Sequence, residues 1–409
     1  MQKEINYQKR FIEDVIEDLF DKKYSCLILG PRQVGKTTLI REIFHNKVQL
    51  VEFLLQDPSV RISLERDPGS LIRQIEAIKG NPWVFIDEAQ KVPAIFDAIQ
   101  YLIDENKAQF IITGSSARKL RSSGVNLLPG RIKRYFLDPF LWGEQGFVRE
   151  NNIQEIEIKN LNKTQDYSFE DSLVFGSLPK IASLPNKERG GFLKAYAEIY
   201  LEEEIRAEAL SRKIGNFSRF LELAALESGT VPNLSKLSNE SGVSIPTIKE
   251  YYNILEDTLV AERVDPYLKN SRKRVLSSSR YYFFDLGVRN VLARLPLQKE
   301  TINSQKGILF EHAVVLEIIR RIRRLDNSLN VYYWRTSSGL EVDLIIDTGA
   351  KLVPIEIKSS SSVSLSELRG LRTFLEDYKE KVDVGYVITY GGNKEKLADN
   401  IISLPWNCL

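Results

Sequence analysis

Apolar positions in the first part of the chain alternate between short continuous runs and stretches with helical spacing. Residues 24–29, 83–88 and 108–116 each contain an apolar run of strand length, which is typical of buried strands. Residues 38–44 instead place apolar side chains three and four positions apart, as an amphipathic helix does. This alternation predicts an α/β core with a parallel sheet, and we assign that core to residues 1–150.

The middle of the chain changes to helical patterning. Residues 151–228 are charged and carry apolar residues at intervals of three and four, which predicts a helical lid or connector. Residues 234–252 predict a helix, a glycine turn and a second helix, and two candidate strands follow at 259–264 and 280–284. This order predicts a winged helix-turn-helix over residues 229–284.

The C-terminal part mixes one long apolar helix with strands. The helix is predicted at residues 307–322. Strands are predicted at 332–335, 340–346 and 352–358. Together these elements predict a second α/β domain over residues 285–409.

Composition narrows the class of protein. A chain of 409 residues with 43% hydrophobic and 27% charged residues is long enough for two to four folded domains. Its net charge of +2 neither demands nor excludes nucleic acid. Two cysteines, Cys26 and Cys408, form no disulfide scaffold, and two histidines, His45 and His312, are too few for a His- or Cys-based zinc site. No run approaches membrane-spanning length, so we expect a cytoplasmic protein with no membrane partner.

A glycine-rich segment between the first predicted strand and the following helix carries the clearest chemistry. Gly30 to Thr37 reads GPRQVGKT, in which the glycines let backbone N–H groups turn towards phosphate oxygens. Lys36 is predicted to reach the β- and γ-phosphates of ATP, and the Thr37 hydroxyl to ligate Mg²⁺. The alternative is a glycine-rich turn that binds no nucleotide. The predicted nucleotide-binding residues of this segment are Gly30, Pro31, Arg32, Gln33, Val34, Gly35, Lys36, Thr37 and Thr38.

Two further strand ends complete a candidate ATPase site. Asp87 is predicted to hold Mg²⁺ through water, and Glu88 to orient and deprotonate the attacking water. A solvated acidic pair at the end of a strand is the alternative. Thr113 and Ser115 are placed to sense the γ-phosphate, or else they belong to a simple strand-to-loop turn.

Arg131 follows the third strand and is a candidate for the γ-phosphate. An arginine at that position would stabilise the charge of the transition state. Whether it acts on its own site or on that of a neighbouring subunit stays open, and so does a role as a surface ion-pair partner.

The predicted winged helix is a candidate DNA-binding element. Thr247 and Lys249 on its second helix are expected to be exposed, so that they face a DNA groove. Lys269 and the basic run 272–274 in the wing are expected to contact phosphates. A purely structural or protein-contact module is the alternative, because the second helix carries few basic residues.

The C-terminal strands bring a second set of candidate catalytic residues. Strand alternation places Glu356 and Lys358 on one face, and a hairpin would bring Asp343 beside them. Asp343 and Glu356 are then candidate ligands of Mg²⁺ or Mn²⁺. Lys358 would activate water or steady a phosphate, and Glu311 would contribute from the helix.

The order of these motifs resembles a known family. The chain is similar to bacterial and archaeal AAA-plus ATPases that carry a C-terminal domain of unknown function with the PD-(D/E)XK, restriction-endonuclease-like fold. The resemblance implies an ATP-hydrolysing core, a winged helix and a nuclease-like domain. It rests on Gly30 to Thr37 and on the segments 86–90, 113–116, 128–131, 175–179, 282–287, 333–336, 341–343 and 355–359.

The sequence therefore predicts a Mg²⁺-dependent ATPase whose cycle controls a module directed at nucleic acid, with DNA favoured over RNA. One alternative is an ATP-driven signalling switch whose nuclease-like domain is catalytically silent. Another is an assembly protein in which nucleotide stabilises a homo-oligomer. An oligomer is also required if Arg131 acts between subunits.

Overall fold

A computed structural model describes the architecture of the chain. It describes residues 7–45, 47, 50–115, 128, 130–148, 167–201, 214–268, 278–325 and 329–409. The chain divides into two compact units. The first comprises residues 1–140 and 254–260, and the second comprises residues 141–253 and 261–409.

The first unit is built on a parallel sheet. Within the described residues its order is β2-β3-β4-β1-β5, and every neighbouring pair is parallel. Every residue of β1, β3 and β4 is buried, as in a sheet that is covered on both faces. The strands are β1 (Cys26–Leu29), β2 (Leu50–Leu54), β3 (Trp83–Asp87), β4 (Gln109–Gly114) and β5 (Lys133–Phe136).

The helices of the first unit follow from local signals. Asp57 caps one of them by accepting a hydrogen bond from Ser59 N at 2.8 Å, and Pro58 follows at the first helical position. Another buries Ile95, Ile99 and other apolar side chains of one face in the core. The helices are α1 (Glu13–Asp21), α2 (Lys36–Phe44), α3 (Pro58–Arg66), α4 (Ser70–Glu76) and α5 (Ile95–Asp104).

The second unit begins with helices. Ser168 and Asp171 form a reciprocal capping box at the start of α6, and Gly242 turns the chain between α10 and α11 with a φ of 71°. These helices are α6 (Phe169–Phe175), α7 (Pro179–Ser183), α8 (Asn186–Ala195), α9 (Ile214–Leu226), α10 (Leu234–Ser241) and α11 (Ile245–Asp257), and residues 254–257 of α11 are assigned to the first unit.

A larger mixed sheet completes the second unit. Its order over the described residues is β12-β13-β11-β10-β9-β8-β6-β7. The antiparallel pair β6–β7 joins the remaining strands through a short parallel pairing of Asp265 and Pro266 with β8. The strands are β6 (Ala261–Pro266), β7 (Arg280–Phe283), β8 (Asn330–Arg335), β9 (Glu341–Asp347), β10 (Leu352–Lys358), β11 (Gly385–Thr389), β12 (Glu395–Ala398) and β13 (Ile401–Pro405).

Three helices accompany this sheet, namely α12 (Leu286–Leu292), α13 (Glu300–Leu325) and α14 (Arg369–Asp377). The helix predicted at 307–322 is longer than the sequence indicated, because α13 starts seven residues earlier and runs three residues further. It continues across a non-helical residue, Gln305, with φ −129° and ψ 22°. The prediction of a mixed α/β chain with a parallel N-terminal sheet is confirmed. Among the helices that the structure describes, none combines the length and the apolar character needed to cross a membrane.

Candidate functional site: the phosphate-binding loop and a C-terminal carboxylate cluster

The loop between β1 and α2 takes a conformation that few residues adopt. Gln33 and Gly35 have φ values of 62° and 94°, in the left-handed region that favours glycine. Gly35 is also the N-cap of α2, so the loop ends directly at a helix N-terminus. Such an end presents unpaired N–H groups and a partial positive charge, which favour phosphate.

Gly30 is required at the start of this loop for a different reason. A Cβ atom built on Gly30 would lie 2.2 Å from the carbonyl oxygen of Leu137. That carbonyl belongs to backbone, and Leu137 N donates to Leu29 O at 2.8 Å, so it has little freedom to move. A side chain at position 30 would therefore separate the loop from the segment that follows β5.

Lys36 is buried at the first position of α2. Its Nζ donates to Gly30 O at 2.8 Å and to Pro31 O at 3.0 Å, and it lies 3.7 Å from Glu88 Oε1. The side chain is 4% exposed, so little water screens this charge. The loop and β3 thus place a cation and a carboxylate at one point.

The Asp87 carboxylate accepts hydrogen bonds from two hydroxyl groups. Thr37 Oγ1 donates to Asp87 Oδ2 at 2.9 Å, and Thr113 Oγ1 donates to Asp87 Oδ1 at 2.6 Å. Parallel pairing of β3 with β4 and of β4 with β1 explains why three distant segments meet at the same sheet edge. A threonine hydroxyl and a carboxylate are hard oxygen donors, so Thr37 and Asp87 fit a Mg²⁺ ion.

Glu88 is fixed by its surroundings. Its backbone is left-handed (φ 59°), and its N–H donates to Thr113 Oγ1 at 3.1 Å. Ser115 Oγ donates to Glu88 Oε2 at 2.8 Å, and Gln90 Nε2 donates to the same oxygen. Burial alone would raise the pKa of Glu88, but the Lys36 charge and these hydrogen bonds together lower it. Glu88 is therefore an oriented, ionised carboxylate.

The remaining residues of the loop differ in exposure. Gln33 and Thr38 are exposed, Arg32 is half-buried, and Pro31 and Val34 are buried. The charge of Arg32 contributes to the lowered pKa of Glu88.

Two residues that the sequence did not single out support this site. Gln90 donates to both Ser115 Oγ (2.9 Å) and Glu88, and it lies two residues after the predicted acid pair. Arg10 donates to Val34 O at 2.9 Å and to Asp138 O at 2.7 Å. Arg10 could not be identified from a local pattern, because it lies 24 residues before Val34 in the sequence. Gln90 could have been identified as a polar residue close to the acid pair.

Arg131 lies away from the loop of its own chain. Its Nε donates to Asp104 Oδ1, at the end of α5. Two residues later, Lys133 N donates to Ser25 O, beside the start of β1, whereas the loop follows the end of β1. The four residues of β1 separate the two places by about 13 Å. The structure therefore does not bring Arg131 to Lys36 of the same chain.

In the second unit, the β9–β10 hairpin brings the predicted residues together. Leu344 pairs with Ile355, and Asp343 Oδ2 accepts a hydrogen bond from Ile357 N at 2.7 Å. Lys358 Nζ lies 2.7 Å from Glu356 Oε1. The predicted proximity of Asp343 to the Glu356–Lys358 strand is confirmed.

Glu311 reaches the same neighbourhood from α13. Tyr282 OH donates to Glu311 Oε1 at 3.2 Å, and Arg280 Nη1 lies 3.6 Å from that oxygen. Burial, followed by repulsion from Asp343, raises the pKa of Glu311 to about 8. The same two causes raise the pKa of Glu356 to about 8. Arg280, on β7, is a further charged residue that the sequence did not single out.

Glu311, Glu341, Asp343 and Glu356 form a carboxylate cluster, and one of its buried oxygen atoms lacks a hydrogen-bond partner among the described residues. Glu356 Oε2 is buried and has no hydrogen bond to any residue that the structure describes. A buried carboxylate oxygen without a donor is costly, and a hard divalent cation would satisfy it. Across the described part of the chain, however, no three His, Cys, Asp or Glu side chains converge as a metal-binding group. Asp343 and Glu356 therefore fit a cation as a two-carboxylate set.

The predicted recognition helix is α11. Lys249 is exposed, Thr247 is half-buried, and the Thr247 and Ser244 hydroxyls lie 2.8 Å apart. Lys269 and the basic residues 272–274 lie outside the described residues.

Three family models match successive parts of the chain. An AAA domain matches residues 22–145. Two domains of unknown function, DUF8612 and DUF4143, match residues 166–299 and 306–409.

Related proteins cover most of the chain. The uncharacterised protein Rv2008c of Mycobacterium tuberculosis is 25% identical over 93% of this chain and 79% of its own length. The uncharacterised protein MJ1637 of Methanocaldococcus jannaschii is 24% identical over 98% of this chain and 88% of its own length.

Solved structures resemble parts of the chain at lower identity. The Walker-type ATPase PABY2304 of Pyrococcus abyssi has a TM-score of 0.44 and 17% identity, covering 71% of this chain and 97% of that one. AMPPCP-bound DnaA from Aquifex aeolicus has a TM-score of 0.28 and 13% identity, covering 61% of this chain and 90% of that one.

The AAA match coincides with the region that holds Lys36, Asp87 and Glu88. It also contains the parallel sheet and the glycine-rich loop. Residues 22–145 are an AAA-type P-loop domain, and the protein is an ATP-binding ATPase.

Proposed function

We propose that this chain hydrolyses ATP with Mg²⁺ and uses the cycle to control a nucleic-acid-directed module in its second unit. The hydrolysis part is carried by one observation, the convergence of the Thr37 and Thr113 hydroxyls on Asp87 beside the buried pair of Lys36 and Glu88. Four of these five side chains supply the chemistry, because Lys36 is the phosphate-binding cation, Thr37 and Asp87 are the metal ligand pair, and Glu88 is the base.

Each of these side chains has a separate task. Lys36 exchanges its hydrogen bonds to the loop carbonyls for the β- and γ-phosphates. Thr37 and Asp87 hold Mg²⁺, which neutralises charge on the phosphate oxygens when it is bound. Glu88 is ionised and is aimed by Ser115 and Gln90, so it accepts a proton from the attacking water. Thr113 fixes Asp87 and the Glu88 backbone relative to each other.

Arg131 enters this proposal as a residue that acts on a second copy of the chain. Its position beside Asp104, at the opposite end of β1 from the loop, supports action between subunits rather than within one. An arginine supplied in trans stabilises transition-state charge and makes turnover depend on assembly. The proposal therefore includes a homo-oligomer.

The proposed module of the second unit contains a metal-dependent phosphodiester site. Asp343 and Glu356 would hold Mg²⁺ or Mn²⁺, and the buried Glu356 Oε2 is the observation that supports a ligand there. Lys358 keeps a positive charge beside Glu356 for a substrate phosphate. A bound cation would polarise the phosphate and an attacking water.

Nucleic acid would reach this module through the winged helix proposed for residues 229–284. The exposed Lys249 on α11 supports contact with DNA, favoured over RNA because a helix fits the major groove of B-form DNA. The other proposed domains are an ATPase core over residues 1–150, a helical lid over residues 151–228 and a nuclease-like domain over residues 285–409.

A second candidate function is an ATP-driven switch with a catalytically silent nuclease-like domain. Two observations favour it. Lys358 is already paired with Glu356, and no three-ligand metal group occurs in the ranges that the structure describes. In that case the second unit binds nucleic acid or protein without cutting.

Fluorescence anisotropy with labelled duplex DNA tests the coupling common to both functions. The affinity of the full chain is measured with no nucleotide, ADP, or ATP and Mg²⁺, for wild type, Lys36→Ala and Lys249→Ala. We expect ATP to change the affinity of wild type and not that of Lys36→Ala, while Lys249→Ala weakens binding in every state. Equal affinity of wild type in all nucleotide states would reject the coupling.

A further inference from the structure

Arg280 occupies a position that no motif assigns. It lies on β7 with its side chain 5% exposed, and its guanidinium carbon stands 4.6 Å from the centre of the Tyr333 ring. Nη2 lies 3.1 Å from Glu341 Oε2, and Nη1 lies 3.6 Å from Glu311 Oε1. The guanidinium therefore bridges two carboxylates from different elements of the second unit.

The other two carboxylates have different partners. Asp343 accepts a hydrogen bond from the Ile357 backbone, and Glu356 pairs with Lys358 through Oε1 only. The second oxygen of Glu356 is buried without a partner within the described structure, and the side chain is 9% exposed. The unsatisfied acceptor of the cluster thus belongs to Glu356. Arg280 Nε is also buried without a partner in the described ranges, but it is a hydrogen-bond donor and cannot hold a cation.

Two of the four carboxylates are already occupied by a cation. Arg280 is paired with Glu311 and Glu341, and Arg335 also lies 3.8 Å from Glu341. The buried carboxylate oxygen without a partner belongs to Glu356, so a divalent cation can bind there without displacing Arg280. A second cation would have to displace Arg280 from its two carboxylates and leave a buried charge unpaired, which is strongly unfavourable.

We propose that Arg280 is a resident counter-cation that occupies Glu311 and Glu341 and so limits the cluster to one divalent cation, held by Asp343 and Glu356. This inference rests on the metal site of the proposed function. Glu311 then acts as a positioning residue that holds Arg280, together with Tyr282, rather than as a metal ligand.

The number of Mn²⁺ ions bound per chain tests the proposed role of Arg280 directly. The full chain, carrying Asp87→Asn to remove the carboxylate beside the P-loop, is titrated with Mn²⁺ without nucleotide, and free Mn²⁺ is followed by electron paramagnetic resonance. We expect one bound Mn²⁺ per chain, two after Arg280→Gln, and none after Asp343→Asn. Arg335→Gln is the matched control, because Arg335 lies 3.8 Å from the same Glu341 but is 52% exposed, and it should leave one.

The possible failures are distinct. Two Mn²⁺ bound to the chain with Arg280 intact, or one after Arg280→Gln, would overturn the role of Arg280 and leave the metal site standing. No Mn²⁺ bound with Arg280 and Asp343 intact would reject the metal site itself, and this inference with it. If Arg280→Gln fails to fold, Arg280→Lys keeps the charge and must still bind one, so two ions there would overturn the inference.

Discussion

The ammonium of Lys36 lies 3.7 Å from the carboxylate of Glu88, and both side chains are buried. The proposed phosphate-binding cation and the proposed base are therefore adjacent before any phosphate arrives. ATP must draw Lys36 towards its phosphates, which weakens its attraction for Glu88. The serine and glutamine hydrogen bonds to Glu88 remain to hold the base in place.

Glu88→Gln should abolish most ATP turnover while ATP binding persists. The amide keeps the shape of the side chain but accepts no proton, and loss of a general base costs about 10²–10⁴-fold in rate. Turnover by phosphate release and affinity by a fluorescent ATP analogue measure the two effects. Glu52→Gln is the control, since Glu52 pairs with Arg41 on the surface and should leave turnover unchanged. Wild-type turnover by Glu88→Gln would contradict its role.

Arg131 should act only between copies of the chain. We expect Arg131→Ala and Lys36→Ala to be inactive separately, because the first lacks the trans arginine and the second lacks the phosphate-binding lysine. A mixture should regain part of the turnover, since a mixed assembly contains an intact loop facing an intact arginine. Phosphate release by the mixture, with native mass measurement in ATP, checks this. An Arg131→Ala protein as active as wild type would remove the proposal.

Gly30→Ala should destabilise the first unit. The added Cβ would lie 2.2 Å from Leu137 O, so backbone must shift, at a cost of roughly 1–3 kcal/mol or more. The control is Gly191→Ala in α8, where a Cβ meets no atom within 4 Å and alanine favours the helix by about 0.5–1 kcal/mol. Urea unfolding of both variants measures the difference. Equal stability of the two would show that the close approach at Gly30 is unimportant.

His312 should make the second unit sensitive to acid. Burial, aided by the charges of Arg289 and Arg320, lowers the pKa of His312 to about 3. Because the pKa in the unfolded chain is about 6.5, the stability that neutral His312 contributes is complete above that value. It is lost as the pH falls from about 6.5 towards 3.

This loss amounts to about 2 kcal/mol at pH 5. We therefore expect His312→Gln to lose less stability than wild type between pH 7 and pH 5, as measured by urea unfolding at each pH. The exposed His45 offers a control, and His45→Gln should follow wild type. Parallel pH profiles for wild type and His312→Gln would show that His312 does not titrate as described.

The sequence was most informative where chemistry is local. Gly30 to Thr37 is contiguous, so the loop could be recognised from its own residues and flanking elements. The β9–β10 hairpin was predictable because Asp343 and Glu356 lie on consecutive strands joined by a short turn. Backbone geometry alone then brings such residues together.

Contacts between segments that are distant in the sequence could not be predicted from local sequence patterns. Arg280 meets Glu341 across 61 residues, and the β6–β8 pairing joins strands separated by α12 and α13. The location of Arg131 depends on the direction of β5 relative to β1, which strand patterning does not determine. The early start of α13 was missed because residues 300–306 are largely polar and lack the apolar spacing of the part that follows.

The most direct test of ATP control over the second unit is DNA cleavage. Wild type, Asp343→Ala and Lys36→Ala are incubated with plasmid and branched DNA in Mg²⁺ or Mn²⁺, with and without ATP. The account predicts cleavage by wild type that disappears in Asp343→Ala and loses its response to ATP in Lys36→Ala. If wild type and Asp343→Ala leave every substrate intact while ATP is still hydrolysed, the nuclease proposal is contradicted, and the silent ATP-driven switch takes its place.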